Sequence, residues 1–156
     1  MTKTQATRAL ERDIWRYTHE GNKYVAGAFE VTVGYIAFAQ HYERVDYVTI
    51  GTDGTIRAYE LKTSVSDYHS SAKLSWIGHY NYLVLTQDVY DQVKQVFPYR
   101  IGVLVMDESG KIHQKKKPSR HQHSVGECAE IVESMLKAAS QDAGKYYMQE
   151  EGSLAK

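Results

Sequence analysis

The chain has 156 residues, 42% of them hydrophobic and 24% charged, and its 19 lysines and arginines balance 19 aspartates and glutamates. That length points to a single domain over 1–156 with its own core, and the balance excludes recognition by net charge, leaving local patches to hold a polyanion. The one cysteine, Cys128, excludes an internal disulfide, and no run matches a membrane span or a signal peptide, so the expectation is a cytoplasmic protein with no membrane partner.

Residues 4–20 predict a helix, with Ala6, Leu10, Ile14 and Tyr17 at helical spacing and Gly21-Asn22 as the stop. Tyr24 to Ile36 is rich in Val, Tyr, Phe and Thr and predicts a strand bent near Gly34, with Ala37 to Glu43 as a connection. Val45 to Ile50 and Ile56 to Leu61 predict two more strands, joined by a loop whose Asp53-Gly54 pair marks a tight antiparallel turn. Ser66 or Asp67 then caps a helix expected to reach about Ile77.

Tyr82 to Leu85 predicts a short buried strand. Thr86 caps a helix through Val89, Tyr90, Val93, Val96 and Phe97, ended by Pro98. Ile101 to Met106 is apolar without alternation, as expected of a strand covered on both faces, and Lys111 to Lys117 predicts a short edge strand. Ser124 and Glu127 form a capping box ahead of the stripe Cys128, Ile131, Val132, Met135, Leu136 and Ala139. Beyond Gly144, from about residue 145, the tail is expected to fray. This order predicts an α/β fold, a mixed β-sheet flanked by helices.

The central hairpin carries acids where a strand has no structural need of them. Asp46 opens its first strand and Glu60 closes the second, so antiparallel pairing brings both to one end. Glu60 and Lys62 share a sheet face, about 7 Å apart. Two carboxylates match what Mg²⁺ takes from a protein, with the Leu61 carbonyl as a third oxygen and water and phosphate completing the shell. With Lys62 orienting or deprotonating the attacking water, the set fits phosphodiester hydrolysis. The structural alternative for the same residues is a solvated, salt-bridged strand face, and all three are expected near the sheet surface.

Asp46, the hairpin and Glu60-Leu61-Lys62 together resemble the D…(D/E)-x-K signature of the PD-(D/E)XK nuclease superfamily. The runs YELKTSVSDYHS, GHYNYLV and PYRIGVLV are similar to small stand-alone members carried by phages and prophages. The resemblance spans roughly 24–117 and departs at Val45, where the signature has proline. It implies a restriction-endonuclease-like core, DNA as partner, Mg²⁺ as cofactor with Mn²⁺ able to substitute, and no organic cofactor. Asp46 and Glu60 are then the metal ligands and Lys62 the catalytic lysine of an endonuclease in phage DNA processing, repair or recombination, leaving 5′-phosphate and 3′-hydroxyl ends. Superfamily members add an acid from an earlier element, here Glu30, Glu11 or Glu20, with Glu30 preferred. Cutting both strands of a duplex suggests a homodimer. The rival expectations are a catalytically inactive DNA-binding module of the same fold and a branched-DNA (Holliday junction) resolvase.

Lys111, Lys115, Lys116, Lys117 and Arg120, with His113, His121 and His123, form a basic stretch free of acids. Such a stretch suits a phosphate backbone; the alternative is an edge strand that uses lysine against aggregation. Lys73, expected on the helix after the motif, is a further candidate for a phosphate contact or an ordinary exposed lysine. His121 and His123 with Cys128 offer three zinc ligands at most, and Cys128 reads better as a buried structural residue of the apolar stripe.

Overall fold

A computed structural model describes residues 3–21, 24–34, 42–69, 74, 76–93 and 96–154. In chain order its elements are α1 (Gln5–His19), β1 (Ala26–Val33), β2 (Glu43–Ile50), β3 (Ile56–Lys62), α2 (Val65–His69), β4 (Tyr80–Thr86), α3 (Gln87–Val93), β5 (Gly102–Met106), β6 (Ile112–Lys116) and α4 (Val125–Leu154). Thr4 starts α1 by accepting the Thr7 amide at 3.1 Å, and Gly21 follows its end at φ 71, a left-handed conformation that favours glycine. Gly54 takes φ 80 in the β2–β3 turn, while Asp53 Oδ1 accepts the Thr55 amide at 3.0 Å.

The strands form one mixed sheet in chain order, β1-β2-β3-β4-β5-β6. β1, β2 and β3 run antiparallel, β3, β4 and β5 parallel, and β6 returns antiparallel to β5. Leu10 and Ile14 of α1 cover one face over Tyr47, Tyr59, Leu61, Val84 and Leu104. On the other face Ile131, Met135 and Ala138 of α4 cover Val31, Val33, Val45, Val48 and Ala58. Beside them Val89 of α3 covers Leu83, Leu85, Val103 and Val105. β5 is buried on both faces, which is why its sequence does not alternate.

Alternation breaks at one level of the sheet. Ala28 faces α4 and Phe29 faces α1, yet Val31 and Val33 face α4 again. In β2, Val48 faces α4 and Tyr47 faces α1, while Val45 faces α4. Phe29 pairs with Tyr47 and Val31 with Val45, so the residues between them, Glu30 and Asp46, stand opposite each other at the break. Glu30 sits there at φ 53. A left-handed residue inside a strand resets which side chains face the core.

Three expectations need correction. The helix after the motif spans only Val65–His69 in the described residues, and its cap is Ser64, whose hydroxyl accepts the Asp67 amide at 3.1 Å. Ile77 is instead buried outside any helix, and Lys73 lies outside the described residues. The C-terminal segment does not fray near residue 145: α4 continues to Leu154, carried by good helix formers such as Lys145, Met148 and Gln149 despite Gly144. The buried stripe of α4 is also narrower than expected, with Val132 and Leu136 exposed.

Candidate functional site

The ladder between β2 and β3 runs from Ile50↔Ile56 to Tyr47↔Tyr59. The next pair in register is Asp46 and Glu60, and there a side chain replaces the ladder: Asp46 Oδ2 accepts the Leu61 amide at 2.8 Å. The backbone ladder of β2 and β3 stops at this carboxylate. A cleft of about 430 Å³ opens there, lined by Glu30, Asp46, Glu60, Leu61 and Lys62 from the sheet, by Lys3, Thr7 and Glu11 at the start of α1, and by Asp67 of α2. Thr7 Oγ1 lies 3.5 Å from Thr63 Oγ1, which holds the start of α1 beside the end of β3. The hairpin thus brings Asp46, Glu60 and Lys62 to one cavity, as expected.

The burial of two of them was not expected. Glu60 is 6% exposed and Lys62 7%, because β3 is an inner strand whose C-terminal half also pairs with Leu83, Val84 and Leu85 of β4. Burial drives Glu60 up to about 9; the charge of Asp46 and a hydrogen bond with it add to the shift, and Lys62 opposes it. Glu60 thus keeps its proton beside the half-buried Asp46 in spite of the Lys62 ammonium. The buried Lys62 ammonium lies 3.5 Å from Asp67 Oδ1, which fixes it at the cleft wall.

Of the three additional acids, Glu11 and Glu30 line the cleft and the exposed Glu20, beyond the opposite end of α1, does not. Lys3 Nζ lies 2.7 Å from Glu11 Oε2 and 3.4 Å from Glu30 Oε1. Burial lowers the Lys3 pKa, but the hydrogen bond and charge of Glu11, followed by Glu30, raise it further, so the ammonium is held above its ordinary value. Sequence reasoning missed Lys3 and Asp67 as members of the site. Lys3 carries no local signal, since its partners depend on how α1 docks.

The basic stretch is not at the cleft. The level of Lys62 across the sheet runs through Leu85 and Val105 to His113, whereas Lys116 pairs with Val103. Three strand spacings and two residues put Lys116 roughly 16 Å from Lys62. Lys115 lies over the Tyr90 ring at 5.8 Å, Lys116 donates to the Pro98 carbonyl at 2.8 Å, and Arg120 lies over Tyr80 at 5.7 Å. Lys117 follows at the end of β6.

His123 contacts Gly78 O and Glu127, while the half-buried Cys128 sits 3.6 Å from His79 Nε2. Among the described residues no three His, Cys, Asp or Glu side chains converge to hold a metal. The donor set of the cleft is instead two carboxylates beside main-chain oxygen, and a hexacoordinate ion that keeps several waters fits such a set. A cation between Asp46 and Glu60 would take the place of the proton that Glu60 holds there.

No family model matches the chain, and no curated protein matches it. It does have a solved likeness. A protein of unknown function from Silicibacter pomeroyi is similar in structure, with a TM-score of 0.73 over 96% of each chain at 16% identity. At that identity the likeness is one of fold, and it extends over nearly the whole α/β architecture described above.

Proposed function

We propose that this protein is a Mg²⁺-dependent DNA endonuclease with a restriction-endonuclease-like core, acting in phage DNA processing, repair or recombination. The observation that carries the reading is the buried Glu60 beside the half-buried Asp46 in an open cleft that the buried Lys62 also lines. A strand has no structural need of a buried acid beside a second one, and Glu60, which holds its proton there, gains a reason to ionise when a cation joins the pair.

Asp46 is oriented by the Leu61 amide through Oδ2, which leaves Oδ1 for a metal. With its proton released to solvent, Glu60 would be a second ligand and the Leu61 carbonyl a third. A divalent ion bound there supplies an acidified water and charge against the developing phosphorane. Lys62, held by Asp67, donates N–H to the water or to a phosphate oxygen and keeps it in line with the leaving oxygen. Glu11 and Glu30 extend the acidic wall on which further bound water is ordered.

The test incubates the purified protein with linear, nicked, single-stranded and branched DNA in Mg²⁺, Mn²⁺ or EDTA, beside Lys62→Ala. Cutting in either metal, absent in EDTA and in the variant, is the expected result. Wild-type protein that cuts none of the substrates with either metal would overturn the enzyme reading, and comparison of the branched with the linear substrate separates a resolvase from a general nuclease.

A further inference from the structure

At the other end of β3 from the acids, Arg57 stands beside Tyr80 in the parallel register. Its guanidinium carbon lies 5.3 Å from the Tyr80 ring centre, and Arg120 lies 5.7 Å from the same ring. Arg57 also acts on the Tyr82 hydroxyl, opposing the rise that burial gives its pKa. The loop carrying Arg120 is tied down along its length: the Arg100 guanidinium donates to the Arg120 carbonyl, the Ser119 amide to Arg100 O at 3.0 Å, and the His121 amide to His79 O at 2.7 Å. Two cations are therefore fixed on one ring by a rigid frame.

What holds these cations matters as much as their position. The salt bridges among the described residues involve Lys3, Arg12, Arg16, Lys62, Lys137, His113 and His123, and none involves Arg57, Arg100, Lys115, Lys116 or Arg120. Asp53 on the turn spends its Oδ1 on the Thr55 amide and feels the Arg57 charge without closing to a salt bridge with it. π faces and carbonyls restrain a guanidinium without neutralising it, so its charge stays available to an anion. Neighbouring histidines feel the field. His79 and His121 are held below their ordinary value, first by burial and next by the charges of Arg120 and Arg100 respectively.

We propose that Arg57 and Arg120, clamped on Tyr80 and buttressed by Arg100, form a preorganised phosphate-backbone site for duplex DNA, separate from the acidic cleft. The choice of ligand rests on the nuclease reading; the site itself rests on the clamp. It gives this end of the sheet a sequence-independent handle that holds a duplex whose cut bond lies elsewhere.

The experiment measures binding of a fluorescent 20-base-pair duplex by anisotropy in EDTA across a salt series, so that no cutting enters. The double variant Arg57→Ala/Arg120→Ala is expected to bind about tenfold more weakly, with a salt slope shallower by about two, one phosphate per arginine. Tyr80→Leu removes no charge and is expected to weaken binding severalfold by releasing the arginines. Lys137→Ala/Lys145→Ala, which removes the same charge from α4, is the control. Double-variant affinity within twofold of that control overturns the clamp, and circular dichroism confirms that each variant is folded; should Tyr80→Leu unfold, the arginine pair decides alone. A protein that binds through the clamp yet cuts nothing would sink the nuclease reading and leave this inference standing.

Discussion

The amide of Leu61 donates to Oδ2 of Asp46 at 2.8 Å, one residue past the last backbone pair of β2 and β3. A carboxylate thus takes the place of a ladder carbonyl at the point where the two strands part, and the same side chain is both structural acceptor and proposed ligand.

Asp46→Ala and Asp46→Asn separate those roles. Both remove the charge that opposes Glu60, but only Asn keeps an oxygen for the Leu61 amide. In urea denaturation without metal, Asp46→Asn is expected to be more stable than Asp46→Ala by about 1 kcal/mol, the worth of a typical hydrogen bond. Both are expected to lose cutting. Equal stabilities would show that the Leu61 bond is immaterial.

Glu60 makes the metal-free protein sensitive to alkali. Its folded-state pKa of about 9 lies above its ordinary 4.5, so between those values the folded protein holds more protons than the unfolded one. Stability from this group is therefore full below about pH 4.5 and is lost as pH rises towards 9. Glu60→Gln removes the dependence. The melting temperature of the variant should exceed that of wild type by a margin that widens from pH 5 to pH 9, and Mg²⁺ should narrow the margin by stabilising wild type alone. A constant margin in the absence of metal would contradict the assignment.

Lys3 already provides a cation between Glu11 and Glu30, at 2.7 and 3.4 Å. An ion entering the cleft competes with that ammonium for the acids. Lys3→Met keeps the apolar length of the side chain and removes the charge, and Mn²⁺ titration followed by electron paramagnetic resonance should show severalfold tighter binding than in wild type. Weaker binding would mean that Lys3 supports the site rather than blocking it.

Glu30 is a non-glycine residue at φ 53, opposite Asp46. A side chain in that region costs about 1 kcal/mol or more. Glu30→Gly should raise unfolding stability by roughly that amount while lowering Mn²⁺ affinity, the exchange expected where backbone strain is kept for a ligand. A variant that loses stability would place the strain elsewhere.

Much of this architecture is local and was legible from the residues alone. Period-two patterning, the Asp53-Gly54 turn and the Ser124–Glu127 box depend only on neighbours in the chain, and they set the strands, the antiparallel hairpin and the start of α4. The meeting of Asp46 with Glu60 is legible for the same reason, since a tight turn fixes the register of both strands. The tertiary structure alone decided what depends on distant packing. An inner position in the sheet, beneath neighbouring strands, turns Glu60 and Lys62 from surface residues into buried ones. Docking of α1 brings Lys3 and Glu11 to the acids and leaves Glu20 away from them. Strand order puts Lys115 and Lys116 three strands away from the acids and carries Arg120 to the opposite end, where Arg57, 63 residues before it in the chain, meets it across a single tyrosine ring. Side-chain spacing along a strand is a property of the backbone, whereas burial and charge pairing belong to the surfaces that folding brings together.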